Sequence, residues 1–174
     1  MSGTQVRTWA VSQLGTTVGA GECFDYLDQA LRSTNHKSAA DFGTVTPTAN
    51  YVWGTSITIG SLAAGDLIQF LGYRITVHVE WSDGAFWDGT EERPHHSAIV
   101  DSVGTGGEIV ILEQNVPRGR PARRCRIFLT AGTLSTAVSQ SLNTISDLPP
   151  SGSPTADVTI GVSGSIWFYR AVSR

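Results

Sequence analysis

The apolar positions Cys23, Tyr26, Leu27, Ala30 and Leu31 follow the i, i+3, i+4, i+7, i+8 spacing of one helix face. Directly before them stands the run Val18-Gly19-Ala20-Gly21. Its glycines suit a tight loop where positive φ or close backbone approach is needed. The spacing therefore predicts a helix that opens on a cysteine straight out of a glycine loop and ends near Asn35. Upstream, Val6, Trp9, Ala10 and Leu14 approach helical spacing, and Gly15 fits a position just past a helix end, so a short first helix is predicted over residues 6–14.

After this the pattern turns to strands. Residues 38–50 read as loop, and Tyr51-Val52-Trp53-Gly54 as a short aromatic piece. Leu67-Ile68-Gln69-Phe70, preceded by Gly65-Asp66, reads as a strand entered through a turn. Residues 74–81 alternate, and Ser82-Asp83-Gly84 carries hairpin-turn chemistry before Ala85-Phe86-Trp87. The runs 95–100 and 108–115, separated by Gly104-Thr105-Gly106-Gly107, predict a hairpin. Ile127-Phe128-Leu129 suits another strand, and residues 148–154 a surface loop rich in proline. A last hairpin is predicted to join residues 157–162 to 165–172 through Ser163-Gly164. The sum is an α+β plan, N-terminal helices followed by an antiparallel sheet. At 174 residues the chain is read as one domain, 1–174, large enough to bury a core.

Composition removes several function classes. A net charge of -3 offers no basic surface for nucleic acid. No apolar run is long enough to span a bilayer. Residues 1–10 hold a single Arg7 and no apolar core, unlike a secretory signal, and compartment is left open. No Gly-rich phosphate cradle with lysine is present, so no cofactor is implied. His95 and His96 are set aside as metal ligands because adjacent strand residues diverge and no Cys or carboxylate cluster completes a tetrahedral set. Oligomeric state is not specified.

The chemistry then rests on Cys23. A thiol is a useful nucleophile only as thiolate, and a helix N-terminus lowers its pKa. The second cysteine, Cys125, lies in Arg123-Arg124-Cys125-Arg126 and reads as a strand residue whose arginines matter only if they share its face. A cysteine nucleophile needs an imidazole and a group to orient it. Of four histidines, His36 reads as a solvated helix cap and His78 as a strand residue equally suited to the surface. His95 and His96 open an apolar strand, where a base beside a cleft belongs. The partner strand ends Glu113-Gln114-Asn115, with Glu113 and Asn115 on one face and Gln114 on the other. Asp25 and Asp28 read as stabilising charges near the helix N-terminus.

Four segments in order, Val18-Gly19-x-Gly21-Glu22-Cys23, residues 64–70, His96-Ser97-Ala98-Ile99-Val100 and Glu113-Gln114-Asn115, resemble the CHAP and NlpC-type cysteine amidase/endopeptidase superfamily. That resemblance covers residues 6–116 and implies a stripped-down papain-like fold, with N-terminal helices on a partly open, barrel-like antiparallel sheet. It implies Cys23 as nucleophile, His96 rather than His95 as base, and Glu113 or Asn115 as the orienting group. Tyr51, Trp53, His95 and Gln114 are then candidates for substrate contact. The implied activity is a peptidase or amidase acting on a peptide, with peptidoglycan peptides as the family's usual substrate.

Three features depart from the family pattern or leave rivals standing. Trp81, Phe86 and Trp87 lie in a segment the minimal pattern lacks, suited to a substrate wall, a lid or an added hairpin. Transfer to another acceptor, or deamidation, would use the same three residues. A binding module built on the same fold would use the aromatic segment instead.

Overall fold

The computed structural model describes residues 2–137, 142, 144–147 and 155–174. The predicted loop at 148–154 lies outside the described residues.

Two helices come first: α1 (Ser2–Ser12) and α2 (Cys23–Ser33). Val6 and Ala10, one turn apart, form the buried stripe of α1. Tyr26, Leu27, Ala30 and Leu31 form that of α2. A reciprocal capping box starts α2: the Glu22 side chain accepts the Asp25 backbone N–H, while Asp25 accepts that of Glu22. Asn35, at φ 61°, takes the left-handed turn that ends it.

Seven strands follow: β1 (Thr55–Ile57), β2 (Leu67–Trp81), β3 (Phe86–Val103), β4 (Glu108–Glu113), β5 (Arg123–Phe128), β6 (Gly132–Ala137) and β7 (Thr155–Arg170). They form one antiparallel sheet in the order β1-β7-β2-β3-β4-β5, with β6 also on β7. The α+β plan of helices before sheet holds. The barrel-like element does not: among the described residues β1 and β5, at the two ends of the path, do not pair with each other, so the sheet is not closed into a barrel. The hairpin β3–β4 is present through the turn at residues 104–107.

Three strand boundaries differ from the sequence reading. The runs at 67–70 and 74–81 are one strand, β2, and His95 and His96 lie inside β3 rather than opening it. The predicted C-terminal hairpin is a single strand, β7, paired with β2 along its length. Ser163-Gly164 is no turn. The register of β2 against β7 shifts between Leu71 and Arg74, where Gly72 (φ 60°) faces Gly164 (φ 95°). A Cβ on Gly164 would lie 2.3 Å from the Gly72 carbonyl oxygen, so these glycines permit close backbone approach at a bulge. Gly164→Ala is expected to cost about 1–3 kcal/mol through backbone strain alone, read as a lowered Tm in calorimetry.

The bulge changes which residues of β2 face which core. Ile68 and Phe70 share a cluster with Ala98, Val100 and Ile111, and beyond the bulge Tyr73, Ile75, Val77 and Val79 join that same cluster. The parity moves from even to odd, as one inserted residue requires. On the opposite face Leu67, Ile99, Leu112 and Tyr169 receive Val6, Ala10, Tyr26, Leu27 and Leu31 of the two helices. Each such aliphatic burial contributes about 1.5–3 kcal/mol. The helix layer thereby seats the start of α2 against the middle of β3.

The segment around Trp81 and Trp87 is the far end of the β2–β3 hairpin. Trp81 belongs to the core, Trp87 is half-buried and Phe86 is exposed. His36 is buried rather than solvated: the chain returns at its end, and His36 bridges Ser173 while its ring meets Thr34. That burial lowers its pKa. His78 is a surface residue, 2.7 Å from Asp88. Among the described residues no helix is long and apolar enough to cross a membrane.

Candidate active site

Cys23 is the first residue of α2, and it is partly exposed. The loop that delivers it is held by Gln114. The Val18 N–H donates to Gln114 Oε1 (2.7 Å), and Gln114 Nε2 donates to the carbonyls of Val18 and Glu22 (3.0 Å each). Asp25 Oδ2 accepts the Ala20 N–H at 2.8 Å from the helix side. Gln114 is fully buried and touches backbone. Gln114→Leu, similar in size but without donors or acceptor, is expected to cost about 1–3 kcal/mol through the unpaired groups. Hydrogen exchange at residues 18–22 checks it, with faster exchange expected.

His96 reaches Cys23 from β3. Burial pushes the Cys23 thiol up, but the hydrogen bond and charge of His96, together with the Ser97 backbone N–H, outweigh it and hold the thiol below its ordinary value. His96 is itself buried, which favours the neutral ring, yet Cys23 and Glu113 reverse this and raise its pKa. The pair therefore favours thiolate with imidazolium. His96 Nε2 lies 3.1 Å from Glu113 Oε2, an ion-pair contact rather than a linear hydrogen bond, which leaves the other ring nitrogen for Cys23.

Glu113, at the end of β4, is fully enclosed. Arg93 Nε and Nη2 donate to its two oxygens at 2.9 Å each, and Arg123 Nη2 donates to Oε1 at 2.9 Å. Burial would keep this carboxyl protonated; His96 and Arg93 overcome that and hold it well below the usual carboxylate range. Asn115 turns away from the ring. It sits at φ 71°, donates to Glu22 Oε2 (2.8 Å) and accepts the Gly119 N–H (2.6 Å).

A cleft of about 560 Å³ opens beside Cys23, lined by Glu22, Phe24, Asp25, Tyr51, His95 and residues 45–47. Phe24 and Tyr51 meet edge to face at 5.0 Å. Tyr51 donates to the Thr46 carbonyl (2.8 Å) and His95 Nε2 contacts that of Ala49 (2.7 Å), fastening the loop that overhangs the cysteine. Trp53 does not reach the cleft: it is fully buried, with its indole N–H 3.3 Å from Gln69 Oε1. Gln69 also accepts from Ser97 Oγ (2.7 Å), bracing β3 beside His96.

Cys23, His96 and Glu113 are thus brought together, Tyr51 and His95 stand at the cleft, and Trp53, Gln114 and Asn115 support the frame. Arg93, Arg123, Gln69 and Phe24 went unread in the sequence. The register that sets Arg123 opposite Glu113 appears only in the structure. Cys125 lies behind the site, buried, with burial and the Glu113 charge pushing its thiol up to about 11 despite Arg93. Asp25 and Asp28 form no dyad: Asp28 holds Arg32 and Ser38. No group of three or more potential metal ligands occurs among the described residues.

No curated protein matches the chain. Two solved structures are similar. One is "The crystal structure of Ly7917 with the hydrolyzing product of MDP", with 18% identity, TM-score 0.50, and coverage of 99% of this chain and 90% of that one. The other is "The crystal structure of Ly7917", with 15% identity, TM-score 0.47, and coverage of 99% and 94%. The first supports the fold, and the papain-like part of the sequence resemblance stands. The model of the AIM3/BBC1 cysteine proteinase-fold domain matches residues 1–130, and the chain belongs to that family.

Proposed function

We propose that residues 1–174 are a single cysteine hydrolase domain that cleaves an amide bond through Cys23, His96 and Glu113. The observation that carries this is the chain of contacts from a helix-opening thiol, through a buried imidazole, to a carboxylate 3.1 Å behind it. Cys23 thiolate attacks the carbonyl carbon, and the oxyanion forms against the Cys23 N–H at the positive end of α2. As the C–N bond breaks, the His96 imidazolium protonates the departing amine. Water then gives its proton to His96 and its oxygen to the acyl carbon, the C–S bond breaks, and thiolate returns. Glu113, rather than Asn115, orients the ring, since Asn115 is engaged with Glu22.

Tyr51 and His95 are the proposed substrate contacts, because they line the cleft beside the sulfur. The substrate we propose is a peptide of the peptidoglycan type. The CHAP/NlpC-like order of motifs supports it, as does the hydrolyzing product of MDP held by Ly7917. Incubation with peptidoglycan peptides in ¹⁸O-water, with hydroxylamine added, tests this. ¹⁸O in a new carboxylate supports hydrolysis; a hydroxamate alone means transfer; the absence of both products overturns the enzymatic reading for this substrate class.

A further inference from the structure

Behind the proposed triad lies a second set of charges that the reaction above does not use. The Arg93 side chain is 0% exposed, as is that of Glu113, and the two meet through paired hydrogen bonds of 2.9 Å. A buried ion pair of this kind is commonly neutral for stability relative to apolar packing. Stability alone therefore gives no reason for an arginine here.

Its placement takes special backbone. Arg93 and His96 are three residues apart on one strand, a spacing that normally sends side chains to opposite faces. Both nonetheless face the same way: Arg93 pairs with Tyr73 and stacks at 5.9 Å over its ring, while His96 pairs with Phe70 and lies parallel to its ring at 6.2 Å. Phe70 and Tyr73 are themselves in contact, at 4.9 Å. The change of parity falls at Gly72 (φ 60°) and Pro94, between the pairs Leu71–His95 and Tyr73–Arg93, with the β2–β3 register unchanged across it. The fold thus carries Arg93 and His96 to the same carboxylate.

We infer that Arg93 is a positioning residue for the reaction, clamping Glu113 in the orientation that meets His96, the imidazole that pairs with Cys23. The inference rests on the hydrolase reading proposed above. The charged and titratable groups around the Cys23–His96 pair are Glu22 just before α2, Tyr51 from the loop over the cleft, Tyr73 from β2, Glu91 and Arg93 from β3, Glu113 from β4, and Arg123 and Cys125 from β5. Glu91, at 3.5 Å, shares the Arg93 charge, and Arg123 binds Glu113 from the more exposed side. Arg93 reaches Cys23 only through Glu113 and His96: without the clamp Glu113 no longer holds the ring, and the His96 hydrogen bond and charge that favour the thiolate weaken.

The probe is iodoacetamide labelling of Cys23, read by mass spectrometry between pH 4 and 9. In Arg93→Met the midpoint of labelling is expected to rise by about one pH unit. Arg93→Lys, which keeps charge but not the fork, is expected to lie nearer wild type than Arg93→Met. Arg123→Met should move the midpoint the same way by less, and it decides the matter if Arg93→Met fails to fold. Superimposable profiles, or an Arg93→Lys shift as large as that of Arg93→Met, overturn the assignment. A wild-type profile indifferent to His96→Ala overturns the hydrolase reading instead, and the assignment with it.

Discussion

Replacing Glu113 by alanine is expected to lower stability by about 3 kcal/mol, because it removes the paired hydrogen bonds of the buried Arg93 and leaves that cation only Glu91, 3.5 Å away. Arg123 can swing to solvent, since its side chain is 32% exposed, but Arg93 has no such exit. Glu113→Gln keeps the volume and removes only the charge, so its loss should be smaller. Urea unfolding measures both. The pH dependence follows from the same group. The native carboxyl titrates below its unfolded value, so its contribution is fully present above the unfolded carboxylate pKa, about 4.3, and fades as pH falls toward the native one. Wild-type stability should therefore drop in that acid range, and Glu113→Gln should flatten the drop. An equal slope in both proteins would contradict the burial and pairing described for this carboxylate.

The largest effect on activity is expected at Cys23 itself. Cys23→Ala should lower hydrolysis by on the order of 10⁴-fold, since removal of one member of such a triad leaves only binding and oxyanion stabilisation. His96→Ala should do nearly as much, and the double variant little more, because the two act as a unit. Stability should change little in Cys23→Ala, as the side chain is partly exposed at the cleft. Turnover of the peptide found in the ¹⁸O assay measures this. Retained turnover in Cys23→Ala would move the chemistry elsewhere in the molecule.

The parts of this architecture legible in the sequence were those with a local period or a local chemical need. Helix α2 announced itself by its stripe and the glycine loop before Cys23, and the hairpin β3–β4 by its apolar runs around residues 104–107. The strands went wrong where glycine served tertiary contact rather than turning. Gly164 faces Gly72 across a bulge, and nothing near it in sequence distinguishes that use from a turn. Arg93 was missed for a similar reason. Its pairing with Glu113 depends on a change of parity at Gly72 and Pro94, and strict alternation would have sent it away from His96. His36 was misjudged because its burial comes from the chain end at Ser173. Choosing between Glu113 and Asn115 needed the left-handed turn at Asn115, which carries its amide to Glu22.

The pairing of Cys23 with His96 is tested most directly by the pH profile of iodoacetamide labelling in wild type and His96→Ala, with each cysteine resolved by mass spectrometry. Cys125 serves as an internal reference, since burial and a pKa pushed up to about 11 should leave it unlabelled in the native protein. Labelling of Cys23 that persists well below the ordinary thiol range, near pH 8.5, and retreats toward it in His96→Ala is the predicted result. Labelling that follows an ordinary thiol in both proteins would contradict the thiolate–imidazolium pair and the hydrolase built on it.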